Sequence, residues 1–549
     1  MDSFGKIFLI WTFLNYYYCC YHSVTAAGSV SRGSSSSSAG KVSSEPIIIV
    51  ISFDGFRYDY LKRITATNLN SLGEKGVRVS YMKNQFITKT FPNHQSIATG
   101  LHVESHGVTD NWVFDPAFNR TLGEKDHEFW KFNDGILPIW TLNELAGGAH
   151  RSGVMMWPGS NYGYGPNNTL PSHFVHWNES LSWSWRVDTV IDWLTDKTKP
   201  VNLVFMYFED PDEFAHGFGP ESDETTRQIQ RVDDTVGQLV RRLKEKKLFD
   251  VTNLIILSDH GFEQVPQNQI INISSVVDTD FYVRYGSTPV LHLAPKPDKF
   301  TVVYQRLMDE SKLNGHFKVY SKEELPPRWH YHNNRRIMPI VLVADLGYAF
   351  DDFYKTIGDY NRKFNLTANA SRVYGVHGYD NEEAQMHAFF LAHGPLFKSG
   401  VTVEPFENVD LFPLLCLLLG IHAPANNGTI GHMNVLRLGT SMGFGFHSPV
   451  AWVVGAAVLV GLTITFGILS MMIVRRKSQT TVVVVENGYR FVNESESMDH
   501  DRVVPSRVQT GAVMDNKSAK NDSKRVNIFE NGDTDEIQAL LLSSSNEEL

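Results

Sequence analysis

The strongest constraint on this chain is the run Ile47-Ile48-Ile49-Val50-Ile51-Ser52-Phe53, which opens with β-branched residues and shows no polar alternation. A run without alternation has no solvent face, so it predicts a strand buried on both sides, as in parallel sheets covered by helices. Val201 to Phe208, Val251 to Leu257 and Met386 to Ala392 share that character. Helical sequence lies between them, as in Ser222 to Lys247, where Ile229, Val232, Val236, Leu239, Val240 and Leu243 recur at helical spacing. Buried strands alternating with helices predict an α/β domain over 46–440, built on a central, mostly parallel sheet flanked by helices. Hydrophobic residues make up 42% and charged residues 20% of the 549, which excludes a disordered or fibrous chain. The net charge of -10 argues against a nucleic-acid polymer as partner.

The flanking segments obey other rules. Lys6, the apolar run Ile7 to Leu14 and the small residues Val24-Thr25-Ala26 have the layout of a secretory signal peptide over 1–26, with an uncleaved N-terminal anchor as the alternative. The stretch 27–45, with Ser34 to Ser38 unbroken, reads as a flexible linker. Pro449 to Val474 carries no charge and, as a helix, is long enough to cross a hydrocarbon layer of ~30 Å. Arg475-Arg476-Lys477 follow, and basic residues stay cytoplasmic. The expectation is a single-pass type I protein of the cell membrane, with an extracellular folded domain and a disordered cytoplasmic tail over 475–549; a buried core helix is the alternative for 449–474. Tyr489-Arg490-Phe491-Val492 and Glu536-Ile537-Gln538-Ala539-Leu540-Leu541 resemble adaptor-binding sorting signals, which imply clathrin-adaptor binding and endosomal or lysosomal cycling. Seven sequons, at Asn119, Asn167, Asn178, Asn272, Asn365, Asn369 and Asn427, are expected glycan sites, whereas those at Asn493, Asn516 and Asn521 lie beyond the span.

Chemistry is expected beyond the carboxyl ends of the buried strands. The first run ends in Asp54-Gly55, the second in Glu209-Asp210-Pro211-Asp212 with His216 following, and the third in Ser258-Asp259-His260-Gly261. A lone Asp after a strand is usually a helix cap; three acidic ends with neighbouring histidines are hard to explain by capping. With three cysteines against twenty-one histidines, carboxylate and imidazole are the available ligands, and these suit zinc in an open catalytic site. Two metals ~4 Å apart could clamp the attacking and leaving oxygens of a phosphoryl transfer. His377, on the Gly-flanked loop 375–378, could add a ligand or be an exposed loop histidine. The candidate nucleophile lies in Thr88-Lys89-Thr90-Phe91-Pro92-Asn93-His94, where a Pro-Asn turn precedes a helix start.

That heptapeptide, followed by Gly100-Leu101-His102-Val103-Glu104-Ser105-His106-Gly107, resembles the signature of the ectonucleotide pyrophosphatase/phosphodiesterase family of the alkaline phosphatase superfamily. Phe53-Asp54-Gly55-Phe56-Arg57, Pro211-Asp212 with His216-Gly217, Ser258-Asp259-His260-Gly261 and His377-Gly378-Tyr379-Asp380-Asn381 extend the resemblance, as do Arg328 to Arg336 and Ala425 to Thr429. It runs from about Ile47 to Leu438 and, in size and topology, is similar to the small type I transmembrane members, numbers four and five. The resemblance implies an alkaline-phosphatase-like fold and two zinc ions, one on Asp54, Thr90, Asp259 and His260 and the other on Asp212, His216 and His377. It implies Thr90 as nucleophile, a threonyl-phosphate intermediate hydrolysed by a zinc-activated water, and Asn111 as donor to a phosphate oxygen. Nucleotides or dinucleotides are the implied extracellular substrates, with nucleoside 5'-monophosphate as product.

Phe91 matches a base-stacking position of the family, and Tyr207 and Phe174 are expected as further walls, ordinary core packing being the alternative for each. Trp112 stands where several relatives carry Lys, which should weaken the grip on a long polyphosphate. Cys416 has no ectodomain partner. A lysophospholipid or choline-phosphoester phosphodiesterase, or a surface receptor without turnover, are the competing readings. A sulfatase is excluded because Thr90 holds the nucleophile position and no Cys precedes a Pro-x-Arg sequence.

Overall fold

Ile47–Phe53 is buried at every residue and lies inside an eight-stranded sheet. The strands of that sheet in chain order are β1 (Ile47–Phe53), β2 (Val77–Val79), β3 (Ser152–Met155), β4 (His173–Val175), β5 (Leu203–Phe208), β6 (Thr252–Leu257), β7 (Phe390–His393) and β8 (Val401–Val403). Across the sheet they run β8-β2-β7-β6-β1-β5-β3-β4. The computed structural model describes residues 42–433 except 368, together with 461, 464–472, 480–485 and 488–493. Two compact units divide the chain, Met1–Phe444 and Gly445–Leu549.

β1 is parallel to both β5 and β6, with Phe53 opposite Phe208 and Ser52 opposite Leu257. The three central strands therefore end in register, and Asp54, Glu209 and Ser258-Asp259 emerge along one edge. The fourth apolar run behaves differently from expectation. Ala384–Met386 is a 3-10 turn, the strand is confined to Phe390–His393, and it pairs antiparallel with β6 and β2, so the sheet is mixed. Apolar continuity marks burial and carries no direction. Val251 likewise closes a turn before β6. The long helix spans Asp223–Glu245, one residue inside the expected start, because Ser222 is its N-cap and accepts from Thr225 N–H.

A second, four-stranded antiparallel sheet lies between β6 and β7 in sequence: Tyr282–Ser287, Val290–Pro295, Ile340–Ala344 and Phe317–Ser321 in spatial order. It has its own core, including Leu291, Leu293, Val303, Leu307 and Leu342, and was not anticipated from the sequence. Cys416 is buried and free.

The seven sequon asparagines of the folded domain are all exposed. The signal-peptide stretch 1–26 lies outside the described residues, as does nearly all of the linker. Among the described residues no helix is long and apolar enough to cross a membrane; most of 449–474 lies outside them, and 464–472 is helical with Ile464, Phe466 and Met471 exposed. Where disorder was expected after 475, Thr480–Val485 and Gly488–Asn493 pair as antiparallel strands, in keeping with the β-branched sequence of the first. The acidic dileucine pattern at 536–541, Asn516 and Asn521 lie outside the described residues.

Candidate active site

Asp54 follows β1, Asp259 and His260 follow β6, and Asp212 opens the short helix Asp212–Phe218 with His216 one turn later. His377 follows the strand Val373–Val376, which pairs with Glu263–Pro266 and so brings its loop to the end of β6. Two groups of these side chains could each hold a metal ion, Asp54 with Asp212 and His260, and Asp212 with His216 and His377; one ligand atom per residue lies within 4.8 Å of the others in its group. The Nε2 atom of His260 is 3.4 Å from Asp54 Oδ1 and 3.0 Å from Asp259 Oδ2. Asp212 stands between the groups, its Oδ2 3.5 Å from His216 Nε2 and its Oδ1 3.6 Å from His377 Nε2.

Three observations fit this set to divalent cations. First, Oδ1 of Asp54, Oδ1 of Asp212 and Oδ2 of Asp259 are buried with no hydrogen-bond partner, an arrangement that is costly unless a cation supplies the missing charge. Second, each imidazole is oriented by a main-chain carbonyl: Nδ1 of His216, His260 and His377 lies 2.8 to 3.0 Å from the oxygens of Gly375, Gly261 and Thr88. With Nδ1 donating, every Nε2 keeps its lone pair for the cluster. Third, burial and then the neighbouring carboxylates push Asp54 and Asp212 well above the usual carboxylate range. Burial holds His216 down to about 4, and it also lowers His377.

Thr90 is the first residue of the helix Thr90–Thr99, which therefore starts before the Pro-Asn turn. Pro92 fits there because first-turn amides have no intrahelical partner. Thr90 Oγ1 is 3.2 Å from His260 Nε2, and the residue keeps 8% of its surface exposed, so a substrate can reach it. Phe91 N–H donates to Asn111 Oδ1 at 3.0 Å, which leaves the Asn111 amide NH2 free as a donor at the helix start.

Sequence reasoning missed what stands behind these groups. Lys89 Nζ donates to both oxygens of Asp110 at 2.9 Å and to the carbonyl and hydroxyl of Ser287 at 2.8 Å, and Asp110 in turn accepts from Asn111 N–H. Ser287 belongs to the second sheet, so this buried pair ties it to the nucleophile helix. His94, also buried, lies against Ser52 Oγ, the Thr90 carbonyl and Asp259. Lys89 and His94 stand within the quoted heptapeptide, but nothing in a sequence separates a buried lysine from a solvated one.

Beside the cluster is a cavity of about 230 Å³ walled by Phe91, Trp130, Met156, Trp157, Trp177 and Tyr207. The Tyr207 hydroxyl also donates to Asp54 Oδ2, so this ring is both a wall and a support for the acid cluster. Phe174 lies outside the lining: on β4 it is half-buried against the main core with its ring at 86° to that of His176. Trp157 and Trp177 stand where Phe174 was expected. Met156 has φ of 61°, a left-handed conformation that is unfavourable for a bulky residue and is typically found where a functional loop demands it. Trp112 is 58% exposed, with its ring over Gly123.

Residues 48–380 match the family described as type I phosphodiesterase / nucleotide pyrophosphatase. The chain belongs to this family. A bis(5'-adenosyl)-triphosphatase of Xenopus laevis is 40% identical over 397 residues, covering 72% of this chain and 82% of that protein. Ectonucleotide pyrophosphatase/phosphodiesterase family member 5 of Homo sapiens is 38% identical over 399 residues, covering 71% and 77%. Among solved structures, murine ectonucleotide pyrophosphatase/phosphodiesterase 5, as an inactive threonine-to-alanine variant in complex with AMP, matches with a TM-score of 0.65 and 37% identity, covering 72% of this chain and 100% of that one. Membership in the type I phosphodiesterase / nucleotide pyrophosphatase family makes the α/β fold alkaline-phosphatase-like and the chain a member of an enzyme family whose reactions are metal-dependent.

Proposed function

We propose that this chain is a two-zinc ectonucleotide pyrophosphatase/phosphodiesterase that releases nucleoside 5'-monophosphate from nucleotide or dinucleotide substrates. The observation that carries this reading is Thr90 Oγ1 at 3.2 Å from His260, a member of the cluster whose acidic oxygens lack donors, with the next residue, Phe91, lining the aromatic cavity. Asp54, Thr90, Asp259 and His260 would hold one zinc and Asp212, His216 and His377 the other, supplying Lewis-acid stabilisation of the oxygens around phosphorus. Thr90 Oγ1 loses its proton to solvent and forms the new bond to phosphorus as the bond to the leaving oxygen breaks, giving a threonyl phosphate; water then displaces Thr90 Oγ1, which regains a proton, and the monophosphate leaves. The Asn111 NH2 group donates to a non-bridging oxygen as its charge grows, and the aromatic rings hold the base. The relative that is inactive through a threonine-to-alanine substitution, and whose structure contains AMP, supports the same roles.

One feature favours a second reading. Several aromatic rings around a small cavity also suit a quaternary ammonium, which is the recognition a choline phosphoester would need. The deciding experiment presents dinucleotides, nucleotide sugars, nucleoside triphosphates and phosphocholine esters to the full-length chain and to Thr90→Ala. Nucleotide turnover is expected in the wild type and a loss of several orders of magnitude in Thr90→Ala, with metal retained. Equal rates in both proteins would remove Thr90 from the mechanism, and a wild type inert toward every ester would leave the receptor reading standing.

We also place the folded domain outside the cell on a type I span. The exposed sequons support this, and glycosidase treatment should shift the protein by glycans at those seven positions and none beyond the span.

A further inference from the structure

The aromatic cavity contains one acid that the proposed chemistry does not use. Glu124, two residues past the strand Arg120–Leu122, lines it together with the rings. Its main-chain carbonyl is already occupied, accepting from Trp130 Nε1 at 2.9 Å. The side chain is half-buried, and among the described residues its carboxylate accepts no hydrogen bond and pairs with no cation. The nearby Arg120 is committed to Asp126 and Glu128. Asn161 is the other polar side chain in the lining; its Oδ1 lies 2.8 Å from His176 Nδ1, which leaves its NH2 group as a donor.

Aromatic walls accept any base by its face, so discrimination has to come from groups that meet a base at its edge. A carboxylate only accepts. An exocyclic amino group, at position 6 of adenine or position 4 of cytosine, can donate to it, and the ring nitrogen beside that amino group can accept from a side-chain amide. In hypoxanthine and uracil the same two positions carry a carbonyl oxygen and an N–H, so both polarities are reversed and the carboxylate would face lone pairs. We infer that Glu124 is a specificity-determining residue that selects nucleotides whose base bears an exocyclic amino group over their keto counterparts. The inference rests on the nucleotide reading above.

The test compares kcat/KM for p-nitrophenyl 5'-esters of CMP against UMP and of AMP against IMP, with p-nitrophenyl phosphocholine alongside, in wild type and Glu124→Gln. The wild type is expected to favour each amino member by about tenfold, the discrimination of one good polar contact. Glu124→Gln is expected to bring both ratios toward one, because a carboxamide can present either its oxygen or its NH2. Each ratio is taken within one protein, so a loss of folded enzyme cancels. Calorimetric titration of AMP and IMP into Thr90→Ala should show the same preference without turnover. Nucleotide turnover with ratios of one, or ratios that Glu124→Gln does not change, would overturn the inference alone; a wild type that cleaves only the phosphocholine ester would overturn the nucleotide reading with it.

Discussion

The folded domain contains two sets of buried charge, and they are neutralised in opposite ways. In the acid cluster, Asp54, Asp212 and Asp259 each present a buried oxygen without a donor. In the other set, Lys89 meets Asp110 and Ser287, and Arg336 meets Asp115 at 2.8 Å while also donating to the carbonyls of Gly107, Phe129 and Glu128. The second set contains its own cations and can hold loops at fixed positions before anything binds. The first lacks donors for those oxygens among the described residues, and in a metal-dependent family its carboxylates and imidazoles could hold ions from solution. The scaffold and the candidate site are thus distinguished by whether the chain supplies both signs of charge.

The most severe way to break this contrast is to remove the ions. Chelation is expected to abolish turnover and to lower Tm by several degrees, since a ligand at a thousandfold its Kd contributes about 4 kcal/mol to the folded state. A chelated protein with unchanged activity and Tm would show that the acid cluster is balanced from within. The next effect falls on the other set. Lys89→Met strands Asp110 in a buried site, and chemical denaturation should show a loss of about 3–5 kcal/mol while the metal content per folded molecule stays the same. Phe91→Ala separates binding from both: it should lower kcat/KM for nucleotide esters by about tenfold or more, as one lost base-stacking contact predicts, again with full metal content.

A further effect concerns acid. Burial pushes His106 and His292 down to about 3, with His102 adding to the first shift and Lys89 to the second. The unfolded chain then takes up protons near pH 6.5 that the folded chain refuses, so stability is full above that pH and declines as pH falls toward about 3. Each histidine should cost about 2 kcal/mol between pH 7 and pH 5. Denaturation at the two pH values measures the sum over these and the other histidines held low by burial, among them His102 and His216, and His292→Asn should flatten the slope by its own share.

The parts of the site that could be read from sequence are those written in one place. Asp54 and the pair Asp259-His260 stand directly after unbroken apolar runs, and a parallel sheet delivers such positions to one edge. His377 is separated from its partners by the entire second sheet, and only the family resemblance assigns it a ligand role. That sheet was missed although Ile340-Val341-Leu342-Val343-Ala344 is itself an unbroken buried run, because its other strands, such as Tyr282–Ser287 with Arg284 and Gly286, mix polar and apolar residues without one period. Lys89 and Asp110 look like surface charges until their partners are seen. The slot was half legible: Phe91 directly follows the proposed nucleophile Thr90 and Tyr207 lies on the strand that leads to Asp212, whereas Trp157 and Trp177 arrive on loops around β4. Phe174, on that three-residue edge strand, was displaced by a neighbour because a single strand does not show which of its rings faces the cavity.

The three imidazoles of the acid cluster are aimed by main-chain oxygens of Thr88, Gly261 and Gly375. The hydrogen bonds that aim them are therefore inherited from the path of the polypeptide, while Tyr360 and Phe262 pack against the rings. Drift in the residues that line the aromatic cavity can reshape the guest it welcomes while these main-chain bonds stay in place, so new selectivity can evolve beside a cluster that stands still.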